Sequence, residues 1–108
     1  MAKTFNVSIW QIKMKDDANN KVFMGYSNVM STFGGIALRD YTKVYSCRHV
    51  TTETNTNTIL DEIYARFNNS AHPNDYKGRS ISVSDIICLD GVMYYVDKFG
   101  FKKIDMIM

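Results

Sequence analysis

Between Thr4 and Lys13 polar and apolar residues alternate, the period expected of a strand with one face on a core, and the pattern ends in the polar run Lys15-Asp16-Asp17-Ala18-Asn19-Asn20, which reads as a loop. Val22 to Met30 fits either a short strand or a turn of helix, and Gly34-Gly35 interrupts it. Asp40 to Val50 is rich in β-branched and aromatic residues and reads as a second strand. Strict alternation would put Tyr41, Lys43, Tyr45, Cys47 and His49 on one face, and Thr42, Val44, Ser46, Arg48 and Val50 on the other. The polar stretch Thr-Thr-Glu-Thr-Asn-Thr-Asn-Thr then leads into a helix expected over Thr58 to Asn68, where Ile59, Leu60, Ile63, Tyr64 and Phe67 form a single apolar stripe. Thr58 and Asp61 have the spacing of a capping box, and Asn68-Asn69-Ser70 followed by Pro73 stops the helix.

The last third of the chain predicts a hairpin. Ile81 to Leu89 and Val92 to Val96 flank Asp90-Gly91, a dipeptide that tolerates the positive φ angles of a type I′ turn. A two-residue loop fixes the register: Leu89 faces Val92, Ile87 faces Tyr94 and Asp85 faces Val96 on one side of the ribbon. Cys88 then faces Met93, Ile86 faces Tyr95 and Ser84 faces Asp97 on the other. Both faces are apolar near the turn, so the hairpin is expected to be covered twice or to lie centrally. Lys98-Phe99-Gly100 turns the chain into a final strand through Phe101, Ile104 and Met106. This order of elements predicts an α+β fold: an antiparallel sheet of about four to five strands with one main helix packed on one face, formed by residues 1–108 as a single domain.

Composition narrows the functional classes. The chain has 108 residues with six Phe, seven Tyr, one Trp and seven Met, an apolar and aromatic content that argues for a packed core. Thirteen Lys and Arg against eleven Asp and Glu give a net charge of +2 with no block of either sign, too little bias to imply nucleic acid or a membrane as partner. Phe99 and Phe101 beside Lys102 and Lys103 have the residue types of a small single-strand-binding patch, but read better as a strand end with a solvated edge. Two cysteines, Cys47 and Cys88, make no disulfide framework and no metal or redox spacing, and both fall in expected strands as small buried hydrophobes. With no signal-peptide pattern at the N-terminus and no apolar run of about 18 residues, the protein is expected in the cytoplasm.

Helix-terminal Phe67-Asn68, then His72-Pro73, Asp75-Tyr76, Gly78-Arg79-Ser80, Ser82-Val83-Ser84-Asp85, Tyr94-Tyr95-Val96-Asp97 and Phe99-Gly100-Phe101 follow one another in an order and spacing that resembles the YodL-like domain family. The resemblance covers about the last half of the chain. It implies a small domain of bacterial, phage and mobile-element proteins in the company of anti-restriction and other anti-defence functions, with one branch associated with inhibition of the bacterial cell-shape cytoskeleton. It supplies no catalytic residue and no cofactor.

An enzyme reading has to be weighed beside it, because the polar cluster from His72 to Asp97 contains the types needed for hydrolase or transferase chemistry. A serine relay needs a histidine within reach of the hydroxyl, yet His72 precedes a proline in a turn and no Gly-x-Ser-x-Gly elbow is present. His49 and His72, the only histidines, lack zinc spacing, and Gly78-Arg79-Ser80 lacks the glycines of a phosphate loop. The expectation is therefore a non-catalytic binder without metal or cofactor that inhibits a larger host protein, such as a Cas or restriction nuclease. Slight basicity favours direct protein contact over nucleic-acid mimicry, and an inhibitor of the cell-shape cytoskeleton is the first alternative.

Partner contacts are expected from the turn segment, His72, Asn74, Asp75, Tyr76, Lys77 and Arg79, with Tyr95 added if the second face of the hairpin is open. Gly78, Ser82, Ser84, Asp85, Asp90, Gly91 and Asp97 are read as structural. Ile81 and Val83 are expected to point into the core, with Ser80, Ser82 and Ser84 facing away. Asp85 lies on the apolar side and must find donors, from Arg79, serine hydroxyls or backbone amides. Trp10 reads as a half-buried core residue.

Overall fold

The computed structural model describes residues 2–12, 24–37, 40–68, 76 and 80–104. Among the described residues there are five strands and two helices, in the order β1 (Lys3–Ile12), α1 (Tyr26–Phe33), β2 (Tyr41–Thr51), α2 (Thr56–Phe67), β3 (Ile86–Leu89), β4 (Val92–Val96) and β5 (Phe101–Ile104). All strand pairs are antiparallel and the sheet order is β2-β1-β3-β4-β5, so the expected α+β class and strand number are met. Val7, Ile9, Ile86, Ile87 and Tyr95 are buried where β1, β3 and β4 run through the middle of the sheet.

The sheet carries a core on each face, where a single main helix on one face was expected. One cluster gathers Val7, Ile9, Ile87, Leu89 and Val96 beneath Ile59, Leu60, Ile63 and Phe67 of α2. The other gathers Ile12, Ile86 and Tyr95 with Val29 of α1, Ile36 and Tyr41. The two-sided apolar hairpin explains why: Ile86 and Ile87 point to opposite faces, and each must be shielded from water.

Helix α2 begins earlier than the capping-box spacing implied. Its N-cap is Asn55, whose side-chain oxygen accepts the Thr58 amide at 3.2 Å, so Thr58 stands inside the first turn instead of capping it. The apolar stripe is as the periodicity predicts, with Ile59, Leu60, Ile63 and Phe67 buried. Of the ambiguous segment Val22 to Met30, Val22 and Phe23 lie outside the described residues and Tyr26 to Met30 belong to helix α1, which ends where the Gly34 amide returns to the Met30 carbonyl.

Strict alternation fails in β2. Ile9 pairs with Tyr45 but Trp10 pairs with Lys43, which leaves Val44 as an extra residue in a β-bulge. Tyr45, Cys47 and Val44 pack toward the α2 cluster, whereas Tyr41 joins the α1 cluster. Trp10 is half-buried against that second cluster, and its indole N–H donates to Ser8 Oγ at 2.9 Å.

The β3–β4 register is the one expected, Leu89 to Val92 through Ile86 to Tyr95, and Asp90 (φ 49°) and Gly91 (φ 85°) both occupy the left-handed region of a type I′ turn. Strand β3 is nevertheless shorter than Ile81 to Leu89, because Ser84 at φ 85° breaks the extended backbone just before it.

Candidate functional site

Two acids, Asp85 at the entry to β3 and Asp97 at the exit of β4, adjoin the two strands at the open end of the hairpin, where the Val96 amide donates to the Asp85 carbonyl at 2.9 Å, and both turn toward the protein's own donors. Asp85 is 0 % exposed. Its Oδ2 accepts the Ser82 amide at 2.9 Å and the Gln11 side-chain amide at 3.0 Å, while its own amide donates back to the Ser82 carbonyl at 3.0 Å. Residues Ser82 to Asp85 thus form a closed turn whose acid is held by a neighbouring backbone amide and by a side chain 74 positions upstream. Backbone donation was among the expected solutions for Asp85. Gln11 was not, since nothing local in the sequence connects the end of β1 with this turn. Arg79, the other expected donor, lies outside the described residues.

Asp97 performs the corresponding task at the far end of β4. Its Oδ1 accepts the Tyr26 amide at 3.0 Å and the Lys98 amide at 2.8 Å. The first of these satisfies a free N–H at the start of α1, whose own N-cap residue, Gly25, has no side chain to do so. A Cβ at Gly25 would stand in van der Waals contact, 3.4 Å from Asp97 Oδ1 and from the Lys98 stem.

Tyrosine hydroxyls complete the internal network. Tyr95 O–H donates to the Met24 carbonyl and Tyr41 O–H to the Ser84 carbonyl, each at 2.6 Å. Burial, with the charges of Asp97 and Asp85 adding to it, pushes the Tyr95 phenol well above its ordinary pKa and keeps it a donor. Asp90 ties the hairpin tip to β1: its carboxylate accepts the Asn6 amide at 2.7 Å, and its amide donates to the Asn6 carbonyl at 2.8 Å.

Two residues expected at a partner surface are instead part of the cores. Tyr76 is 6 % exposed, edge-on to Phe67 and Tyr45 with ring centroids 4.9 and 5.5 Å away, and its hydroxyl accepts from Gln11 at 3.4 Å. Its polar neighbours in sequence suggested a surface position, but the large aromatic body gains more from the α2 cluster. Tyr95 is 1 % exposed because α1 covers the face that would have had to be open. Ser84, expected to face away from the core, is fully buried as well, whereas Ile81 is buried as expected and Val83 only half so. His72, Asn74, Asp75, Lys77, Gly78 and Arg79 lie outside the described residues.

The turn between β4 and β5 faces outward. Phe99 is 91 % exposed there, between Lys98 and Gly100. Beside it an open groove of about 270 Å³ runs between α2 and the β4–β5 hairpin, lined by Asp61, Tyr64, Val83, Asp97, Lys98 and Phe101 among others. The Tyr64 and Phe101 rings meet edge to face in its wall, at 6.4 Å. A second polar contact lies on the other side of α2, where His49 Nε2 stands 2.9 Å from Glu62 Oε1. Hydrogen bonding from His49, and then from Thr51, holds the Glu62 carboxyl below its ordinary pKa.

A family model described as the YodL-like domain matches residues 6–106, so the match extends from β1 to beyond β5. The chain belongs to the YodL-like domain family. Membership therefore includes the first half, where the sequence motifs themselves were sparse, and the long-range contacts of the YodL-like domain explain why: Gln11, Tyr26 and Asn6 each bond to the motif-bearing half. An uncharacterised protein of Acanthamoeba polyphaga mimivirus is 37% identical, in an alignment spanning 62% of this chain and 71% of that protein. No solved structure matches significantly. Among the described residues, no helix is long and apolar enough to cross a membrane.

Proposed function

We propose that this YodL-like domain is a protein-binding inhibitor of a larger host machine, working by occupancy and without chemistry of its own. The observation that carries this reading is the inward use of its reactive side chains. Asp85 and Asp97 hold backbone amides, and the Tyr41 and Tyr95 hydroxyls are hydrogen-bonded to backbone carbonyls. A general acid or base must reach a substrate proton, and groups committed in this way are badly placed to do so. The likeness to a viral protein fits a role in the contest between a virus or mobile element and its host. The anti-defence company of the family supplies the target class proposed here, a CRISPR or restriction nuclease or the assembly of its guide RNA. A net charge of +2 favours contact with the protein over imitation of its nucleic acid.

Affinity capture from host lysate with the tagged full chain, with and without nuclease treatment, tests the proposal. A nuclease-resistant, stoichiometric protein partner is the expected result. Capture of no protein, or of a partner that disappears with the nucleic acid, overturns it.

A further inference from the structure

We infer that Phe99 is the anchor by which the protein grips its partner, and that the partner presents an apolar pocket rimmed by carboxylates. This inference rests on the protein-binding reading and specifies its surface. Phe99 is 91 % exposed, far above the other exposed large apolar residues, Val50 at 64% and Met30 at 38%. An aromatic ring left almost wholly in water forgoes the burial that every other described phenylalanine obtains, at least in part, from the two cores.

The turn that carries Phe99 is built to hold it still. The Asp97 amide donates to the Gly100 carbonyl at 3.0 Å and closes the turn around Lys98 and Phe99. The Asp97 carboxylate accepts the Lys98 amide inside the turn and the Tyr26 amide outside it, which fastens the turn to the start of α1. Phe101, two residues on, is pinned against Tyr64. A ring presented from a backbone fixed in this way loses little further backbone freedom on binding, the property of an interface anchor.

Charge selects the partner. Lys98, Lys102 and Lys103 are all exposed within four positions of Phe99. The nearest acid in sequence, Asp97, is turned inward to the two amides. The anchor is therefore an apolar knob beside Lys98, with Lys102 and Lys103 exposed on the two faces of the adjoining strand β5 and Asp61 and Asp97 in the groove next to it, an excess of positive charge complementary to an apolar pocket with acidic residues at its lip. Binding of single-stranded nucleic acid uses successive aromatic platforms. Here Phe101 is committed to Tyr64, and Phe99 is the one exposed aromatic ring among the described residues, which favours a folded protein surface.

The test places a photo-crosslinking phenylalanine analogue at position 99 of the full chain, with the same analogue at Val50 as a control, in host lysate after nuclease treatment. The expected product is a single crosslinked protein from position 99 and none from position 50, joined at a segment that combines apolar residues with Asp or Glu. F99A is expected to keep its circular dichroism and thermal midpoint and to lose capture at least about tenfold. K98E combined with K102E is expected to weaken capture further as salt is lowered, the reverse of the wild type. If wild type captures a protein and F99A captures it equally, the anchor is refuted while the inhibitor reading stands. Failure of wild type to capture any protein removes both. A crosslink to a second copy of the chain, or binding of a 20-residue oligothymidine or of phosphatidylserine vesicles that F99A abolishes, overturns the inference in favour of that occupant.

Discussion

The Asp97 carboxylate and the Tyr26 backbone amide meet at 3.0 Å across 71 positions of sequence, so the exit of β4 supplies the hydrogen-bond acceptor that the N-terminus of α1 lacks. A negatively charged acceptor at this end also complements the helix dipole. D97A is expected to destabilise the fold by about 1–2 kcal/mol, as for the loss of a helix cap. D97N retains an acceptor oxygen and is expected to recover roughly half of that loss. Urea denaturation measures both. Amide exchange should accelerate in Tyr26–Phe33 for D97A before it does so in α2.

Asp85 tests the other strand at the open end of the hairpin. Removing its carboxylate orphans the Ser82 amide and the Gln11 side chain in a site that is 0 % exposed. D85A should cost about 1–3 kcal/mol for each of the two buried donors it orphans. Q11L should cost less, about 1–3 kcal/mol, because the backbone donor stays. The double variant, measured by the same unfolding curves, is expected to fall short of the sum of the two, since both substitutions remove one shared bond.

Glu62 gives the protein an acid-sensitive term. Its folded pKa is lowered below the unfolded value near 4.5, so its contribution to stability is complete above that value and is lost as pH falls through the folded value. The thermal midpoint of the wild type should therefore drop more steeply below about pH 4.5 than that of E62Q, whose side chain does not titrate. Parallel acid limbs in the two proteins would assign the lability to other carboxylates.

The hairpin was legible in the sequence because one dipeptide, Asp90-Gly91, sets both the turn type and the register, and no distant residue has to agree. The α2 stripe was legible for a similar reason, its periodicity being local. Helix α1 was not, since its eight residues bury only Val29 and its N-terminal acceptor comes from Asp97. Tyr76 was misplaced because a polar surrounding sequence says nothing of a ring that reaches Phe67 and Tyr45. The strand end at Phe99 was legible as a solvated edge, with Phe99, Lys102 and Lys103 exposed, but the sequence did not show that Phe101 packs on Tyr64 and so separates the two rings.

The extra residue at Val44 acts on β2 as a phase slip acts on a wave. On one side of it odd positions serve the α2 core, and on the other side odd Tyr41 serves the α1 core, so a single strand feeds two cores without changing sheet. Deleting Val44 would remove the bulge and leave Ile9 opposite Tyr45 and Trp10 opposite Lys43 in unbroken alternation, so Tyr41 and Tyr45 keep their faces and what is lost is the packing of Val44 itself on the α2 cluster. Relatives that lack a residue here should accordingly keep the polar and apolar pattern of both arms, joined across a gap of a single position, and a comparison made without that gap would put one arm out of step with the other.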